Sequence, residues 1–76
     1  MDIKVLGTGC AKCKATVEII DRVARETGKE IALEKVEDMR QIVGFGVMTT
    51  PAVVVAGKVV HKGSVPSRDQ VLAWID

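Results

Sequence analysis

Aromatic residues are almost absent from this chain, which has one tryptophan, one phenylalanine and no tyrosine among its 76 residues. The core must therefore be built from valine, isoleucine, leucine, methionine and alanine. A chain of this length buries only about 60% of the surface that it exposes when unfolded. Length and composition together predict one domain over residues 1–76, with an aliphatic core and no room for a second functional domain.

Neither acidic nor basic side chains are in clear excess, since the chain has eleven basic and ten acidic residues and a net charge of +1. The charges alternate along the chain without a basic block or a series of aromatic residues. Nucleic-acid binding requires a positively charged surface, and this sequence has no cluster of basic residues that would form one. We expect no nucleic-acid partner, and we expect a monomer.

Apolar stretches are short, and the run over residues 51–56 is far below the roughly 20 residues that a membrane-spanning helix needs. The N-terminus leads directly into a strand pattern, without the charged, apolar and cleavage regions of a signal peptide. We expect a cytoplasmic protein with no membrane partner, no metal and no cofactor.

The chain has only two cysteines, and they lie together in Gly7-Thr8-Gly9-Cys10-Ala11-Lys12-Cys13. A disulfide across so short a loop constrains the unfolded chain weakly, by about 2 kcal/mol, against about 4 to 5 kcal/mol for a loop of 100 residues. Lasting structural disulfides are also rare in a reducing cytosol. The pair Cys10 and Cys13 therefore indicates redox chemistry or metal binding rather than a structural staple.

Hydrophobic periodicity and capping residues divide the rest of the chain into alternating strands and helices. The predicted strands cover residues 3–6, 31–36, 52–55 and 59–62, and the predicted helices cover residues 11–27, 38–44 and 67–75. Strands that are joined through a helix should be parallel, whereas the last two strands form an antiparallel hairpin. The sequence thus predicts an α/β fold of the order βαβαββα, a four-stranded mixed sheet with helices on both faces.

A Cys-x-x-Cys at the first strand-to-helix turn, together with Thr50-Pro51 directly before a hairpin, resembles the thioredoxin and glutaredoxin superfamily. Residues 46–55 are similar to the Gly-Ile-x-x-x-Pro-Thr stretch of that family. The small archaeal and bacterial redox-active disulfide proteins are the branch that the chain looks like. The resemblance implies a minimal thioredoxin-like fold and a thiol-disulfide oxidoreductase that reduces disulfide-containing proteins and is itself regenerated by an unidentified reductase.

Different roles are expected for the two cysteines. A helix N-terminus stabilises an anion, so we expect a lowered pKa and the attack on substrate at Cys10, with Lys12 and Lys14 adding positive charge. We expect Cys13 to be shielded and to resolve the mixed disulfide. The inward face of the first helix is predicted to consist of Cys13, Val17, Ile20, Ala24 and Thr27.

The family resemblance also implies three substrate-binding residues. Pro51 would follow Thr50 through a cis peptide bond and lie against the sulfurs, where it removes an N–H donor and blocks metal capture. The backbone of Thr50 would pair with an extended substrate, and Gly63 would open the opposite wall of the groove.

Three alternative functions remain open on the residues alone. A soft-metal carrier of the copper type also presents Cys-x-x-Cys in a small domain, but such carriers usually have a methionine where this chain has Thr8. A structural zinc site is weaker, because two thiols and one histidine do not fill four positions. The third is a binding module in which the thiols only regulate docking.

The remaining conspicuous residues are interpreted as structural. Trp74, Met39 and Met48 are predicted to be packing residues on apolar helix faces or next to a buried strand, and Phe45 to cover the core. His61 is predicted to lie at the edge of the last strand without a functional role.

Overall fold

The computed structural model describes residues 1–9 and 11–75. Its elements are β1 (Asp2–Leu6), α1 (Ala11–Thr27), β2 (Ala32–Val36), α2 (Met39–Gly44), β3 (Ala52–Val55), β4 (Lys58–Lys62) and α3 (Arg68–Ile75). This is the predicted βαβαββα order, which is therefore confirmed.

The four strands form one mixed sheet in the order β2-β1-β3-β4. β1 and β2, which are joined through α1, run parallel. β3 is antiparallel both to β1 and to its hairpin partner β4. β1 is therefore an interior strand between β2 and β3, and β2 and β4 are the two edge strands.

Apolar side chains fill both faces of the sheet. On one face, the first cluster lies under α1 and α3 and consists of Ile3, Val5, Ile20, Val23, Ala24, Val53, Val71 and Ile75. On the other face, the second cluster lies under α2 and consists of Leu6, Val36, Ile42, Val47, Ala52 and Val54. Neighbouring residues of a strand point to opposite faces, so β1 and β3 contribute to both clusters. The prediction of helices on both faces is confirmed.

Local contacts define where α2 and α3 begin, and a two-residue turn connects the strands of the hairpin. The carboxylate of Asp38 accepts a hydrogen bond from the backbone N–H of Arg40 at 2.8 Å and caps α2. Ser67 and Gln70 form the predicted capping box before α3: the Gln70 side chain accepts from the Ser67 N–H at 2.8 Å, and the Ser67 hydroxyl accepts from the Gln70 N–H at 3.2 Å. The hairpin turns through Ala56 and Gly57, at φ values of 51° and 83°.

The inward face of α1 differs from the predicted one. Its buried residues are Cys13, Thr16, Ile20, Val23 and Ala24, whereas Val17 is only half-buried and Thr27 is exposed. Thr16 tolerates complete burial because its hydroxyl donates to the carbonyl of Lys12 at 2.8 Å. The stripe that faces the sheet is therefore rotated slightly from the one that hydrophobicity alone predicts.

The packing predictions for the two methionines are wrong. Met39 is 57% exposed and Met48 is 96% exposed. α2 is so short that only Ile42 is buried among its residues, and Met48 projects from the loop that follows the buried Val47. The predictions for the two aromatic residues are confirmed, since Phe45 packs on the second cluster and Trp74 on the first.

His61 is half-buried on the edge strand β4, as predicted. Its ring lies 5.9 Å from the ring of Trp74, measured between centroids, and its Nε2 is 3.0 Å from the hydroxyl of Ser64. Across the residues that the structure describes, no helix has both the length and the apolar character to cross a membrane.

Candidate redox site

Of the two predicted catalytic cysteines, Cys10 lies outside the described residues. Cys13 lies in the first turn of α1, and only 5% of its surface is exposed. Its side chain is part of the face that α1 turns towards the sheet. The prediction that Cys13 is shielded is therefore confirmed.

Gly7, the residue after β1, forms the floor beneath Cys13. A Cβ atom placed on Gly7 would overlap the sulfur of Cys13 and come within 3.1 Å of its Cβ. The same hypothetical atom would lie 3.9 Å from the Cβ of Thr50. Gly7 thus permits a close approach of backbone to sulfur that no other residue allows, and it brings Cys13 and Thr50 to the same point at the end of β1.

The predicted substrate-binding residues lie next to one another. The peptide bond between Thr50 and Pro51 is cis, as the resemblance implies. The backbone N–H of Gly63 donates to the carbonyl of Pro51 at 2.9 Å. Gly63 has a φ of 85°, and a Cβ on it would lie 3.6 Å from the hydroxyl of Thr49. Thr50, Pro51 and Gly63 are therefore neighbours, and Thr50 joins them to Gly7 and Cys13.

A cleft of about 80 Å³ opens beside Cys13. Its walls are made of Val5, Gly7, Gly9, Cys13, Lys14, Val17, Lys35 and Glu37. Three of these residues are charged, and they come from α1 and from the segment at the end of β2. Sequence inspection did not single out Lys35 or Glu37. The signal that could have found them is their alternate spacing, with Lys35 in β2 and Glu37 directly after it, which places both on one face of the sheet.

Lys4 of β1 belongs to the opposite face. Its ammonium group lies 3.9 Å from a carboxylate oxygen of Glu34 and 5.6 Å from the ring centroid of Phe45. Cys13 packs on Gly7 and lines the same cleft as Val5 of β1, whereas the ammonium group of Lys4 lies on the other face of the sheet. Lys14 and Lys35 are the two lysines in the wall of the Cys13 cleft.

Within residues 1–9 and 11–75, no three histidine, cysteine, aspartate or glutamate side chains come close enough together to hold an ion. The chemistry that this arrangement offers is that of a shielded thiol, next to a small cleft with charged groups and close to the exposed residue Thr50.

The sheet order β2-β1-β3-β4, the helices on its two faces and a cysteine in the first turn of α1 define the chain as a thioredoxin-like α/β protein. The sequence pattern of the thioredoxin domain family matches residues 1–76. The chain belongs to that family.

Similar archaeal proteins carry the same family name. A thioredoxin of Methanocaldococcus jannaschii is 33% identical over 69 residues, which cover 91% of this chain and 79% of the relative. A thioredoxin of Methanothermobacter thermautotrophicus is 33% identical over 75 residues, covering 93% of this chain and 92% of the relative. A probable thioredoxin of the same organism is 30% identical over 70 residues. These relatives support a thioredoxin-like redox function, at the general level of thiol-disulfide oxidoreduction.

Proposed function

We propose that this protein reduces protein disulfides through Cys10 and Cys13. Cys10 attacks one sulfur of the substrate disulfide and forms a mixed disulfide, and Cys13 then attacks Cys10 and releases the reduced substrate. The dithiol of the protein is oxidised to a disulfide while the substrate disulfide is reduced to two thiols. A reductase must return the protein to its dithiol form after each cycle.

The observation that carries this proposal is the position of Cys13 at the point where β1, α1 and the segment before β3 meet. A resolving thiol should be shielded from other disulfides and still be near the attacking thiol. Cys13 is 5% exposed and is three residues from Cys10 in the sequence. Its packing against Gly7 holds the thiol in place, so that intramolecular attack benefits from a high effective concentration.

We infer a binding role for an extended substrate segment from the wall formed by Thr50 and Gly63, which lie on either side of the buried Pro51 and not on opposite walls of a groove. Thr50 and Gly63 are exposed, and the hydrogen bond from Gly63 to the Pro51 carbonyl joins the two loops at 2.9 Å. Main-chain pairing is independent of side-chain identity, so a backbone wall suits substrates of varied sequence. Met48, which is 96% exposed two residues before Thr50, adds a flexible apolar contact beside this wall.

Trapping the mixed disulfide tests the proposal directly. A Cys13→Ser variant retains Cys10 and loses the resolving thiol, so we expect it to accumulate adducts with a disulfide-containing protein such as insulin. Mass spectrometry under non-reducing conditions measures those adducts. The Cys10→Ser variant is the matched control and should form none. An absence of adducts in the Cys13→Ser variant would contradict the oxidoreductase function.

A redox titration separates this function from metal transport. In a thiol/disulfide buffer, we expect the wild-type protein to show one reversible two-electron transition at roughly −200 to −300 mV. The same titration with Cu(I) present tests the carrier function that uses the same two thiolates. Tight binding of Cu(I) without any redox transition would favour the carrier over the oxidoreductase.

A further inference from the structure

We propose that His61 is a positioning residue for the substrate, because it holds in place the turn that carries Gly63. The inference rests on the oxidoreductase function proposed above, and it adds a residue that acts on substrate binding and not on the thiols. His61 is the last residue but one of β4, and the turn follows directly after Lys62. The observation that carries the inference is a side-chain hydrogen bond across this turn.

Strand register directs the side chain of His61 towards α3. His61 pairs with Val53 in the antiparallel ladder of β3 and β4, and cross-strand partners point to the same face of a sheet. Val53 belongs to the first cluster, under α1 and α3. The His61 ring accordingly lies 5.9 Å from the ring of Trp74, between centroids, with an angle of 48° between their planes. The half-buried imidazole is therefore packed against α3.

A hydrogen bond joins this packed ring to the far side of the turn. The Nε2 atom of His61 lies 3.0 Å from the hydroxyl oxygen of Ser64, and the bond spans the two residues between them. A hydroxyl can donate or accept, so the bond forms with either tautomer of the imidazole. The side chain of Ser64 is thus fixed relative to α3 through His61.

Gly63 is one of the two residues that this bond encloses, and its backbone needs restraint. Its φ of 85° is in the left-handed region, and glycine has more backbone freedom to lose than any other residue. One restraint is its own N–H, which donates to the carbonyl of Pro51 at 2.9 Å. The bond between His61 and Ser64 is the second. Together they keep Gly63 in one conformation beside the residue that follows Thr50.

A preorganised wall binds an extended segment more tightly than a wall that must first be ordered. Only the molecules with an ordered turn are competent to bind, and the apparent affinity falls with their fraction. Loss of one hydrogen bond changes an equilibrium by roughly two- to twelvefold, and we expect about threefold here because Ser64 is exposed to water. A small disulfide without a peptide chain does not pair with the wall, so its reaction should not depend on this bond.

The test compares a protein disulfide with a small one. Insulin is the protein substrate, and 4,4′-dithiodipyridine is a neutral disulfide that has no peptide chain. Ser64→Ala removes one partner of the bond, and His61→Phe keeps an aromatic ring beside Trp74 but removes the nitrogen. We expect each variant, mixed in its reduced form with insulin, to show a second-order rate constant about threefold below that of the wild-type protein. Its rate constant with 4,4′-dithiodipyridine should be unchanged.

Mass spectrometry of acid-quenched, alkylated samples measures the reduction of insulin, and stopped-flow absorbance of the released thione measures the reaction of the small disulfide. Combining the substitutions then tests whether both act through one hydrogen bond. In that case the Ser64→Ala, His61→Phe double variant should reduce insulin no more slowly than either single variant. His61→Gln places an amide near the position of Nε2 and should recover part of the rate.

Val59→Ala is the control for a general disturbance of β4. Val59 pairs with Val54, which belongs to the second cluster, so it lies on the face of the sheet opposite to His61. Both rate constants should keep their wild-type values in this variant. Circular dichroism of each variant checks that the fold is intact, and the exposed position of Ser64 makes Ser64→Ala the least disruptive of them.

Failure of the inference and failure of the proposed function give different results. Wild-type rates of insulin reduction in Ser64→Ala and His61→Phe would overturn the positioning role of His61. Equal slowing with both disulfides would also overturn it, because the effect would then be on the thiols. A loss in the double variant equal to the product of the two single losses would show that the residues act independently. A wild-type protein that does not reduce insulin at all would instead contradict the proposed function itself.

Discussion

At the end of β1, a single missing side chain sets the position of the shielded cysteine. Gly7 is buried, and any Cβ on it would overlap the Cys13 sulfur. Its φ is not in the left-handed region, so the requirement for glycine here is one of space and not of backbone conformation. Gly44 provides a contrast, because it ends α2 and a Cβ on it meets no atom within 4 Å.

We expect Gly7→Ala to lower the free energy of unfolding by about 1 to 3 kcal/mol, the usual cost of forcing an extra group into a packed interior. Urea denaturation measures this change. Gly44→Ala is the control, and its helical position should make it neutral or more stable by up to about 1 kcal/mol. Equal stabilities of the two variants would contradict the close contact between Gly7 and Cys13.

Among the elements, α1 contributes most to the first cluster. Ile20, Val23 and Ala24 are almost fully buried where the helix crosses the sheet. α2, by contrast, covers the second cluster with one buried residue, Ile42, and leaves Val43 62% exposed. A buried valine such as Val23 in α1 should therefore contribute much more to the free energy of unfolding than the exposed Val43 in α2.

Truncation of matched valines should reveal that difference. We expect Val23→Ala, at a residue 1% exposed, to destabilise the protein by about 2 kcal/mol, from roughly 0.8 kcal/mol for each buried methyl group and the cavity left behind. Val43→Ala should change stability by no more than about 0.5 kcal/mol. Denaturation midpoints measure both effects, and a larger loss at Val43 would show that α2 packs on a further surface.

On the scale of the whole molecule, the two apolar clusters are connected because they share strands. β1 and β3 each place side chains in both, as the neighbours Val53 and Val54 illustrate. The exposed ion pair of Glu26 and Arg68 also connects α1 to α3. Such surface ion pairs contribute at most about 1 kcal/mol to the free energy of unfolding. Because the clusters share strands, neither can be lost without disrupting the other.

Unfolding should therefore be a single cooperative transition. Trp74 packs on the first cluster, so its fluorescence reports on one face, whereas far-ultraviolet circular dichroism reports on all helices and strands. We expect Val54→Ala, in the second cluster, to shift the denaturation midpoints of both probes equally. If the fluorescence midpoint stayed at its wild-type value while the dichroism midpoint fell, the two faces would unfold independently.

Local patterns were sufficient to predict most of the architecture. The order of strands and helices follows from hydrophobic spacing, and the caps at Asp38 and Ser67 follow from short-range side-chain chemistry. The composition of the α1 face was predicted less well, because Thr16 is buried only through its hydrogen bond to Lys12. The exposure of Met48 likewise depends on where its loop lies and not on its hydrophobicity.

The sequence by itself determined the element order, the family resemblance and the spacing of Cys10 and Cys13, because each of these depends on residues close together in the chain. Only the tertiary structure decided that Cys13 rests on Gly7 and that Lys35 and Glu37 border its cleft. Those neighbours come from separate parts of the chain, and their proximity depends on the register between β1 and β2. That register is set by side-chain packing on both faces of the sheet, which no local stretch of sequence contains.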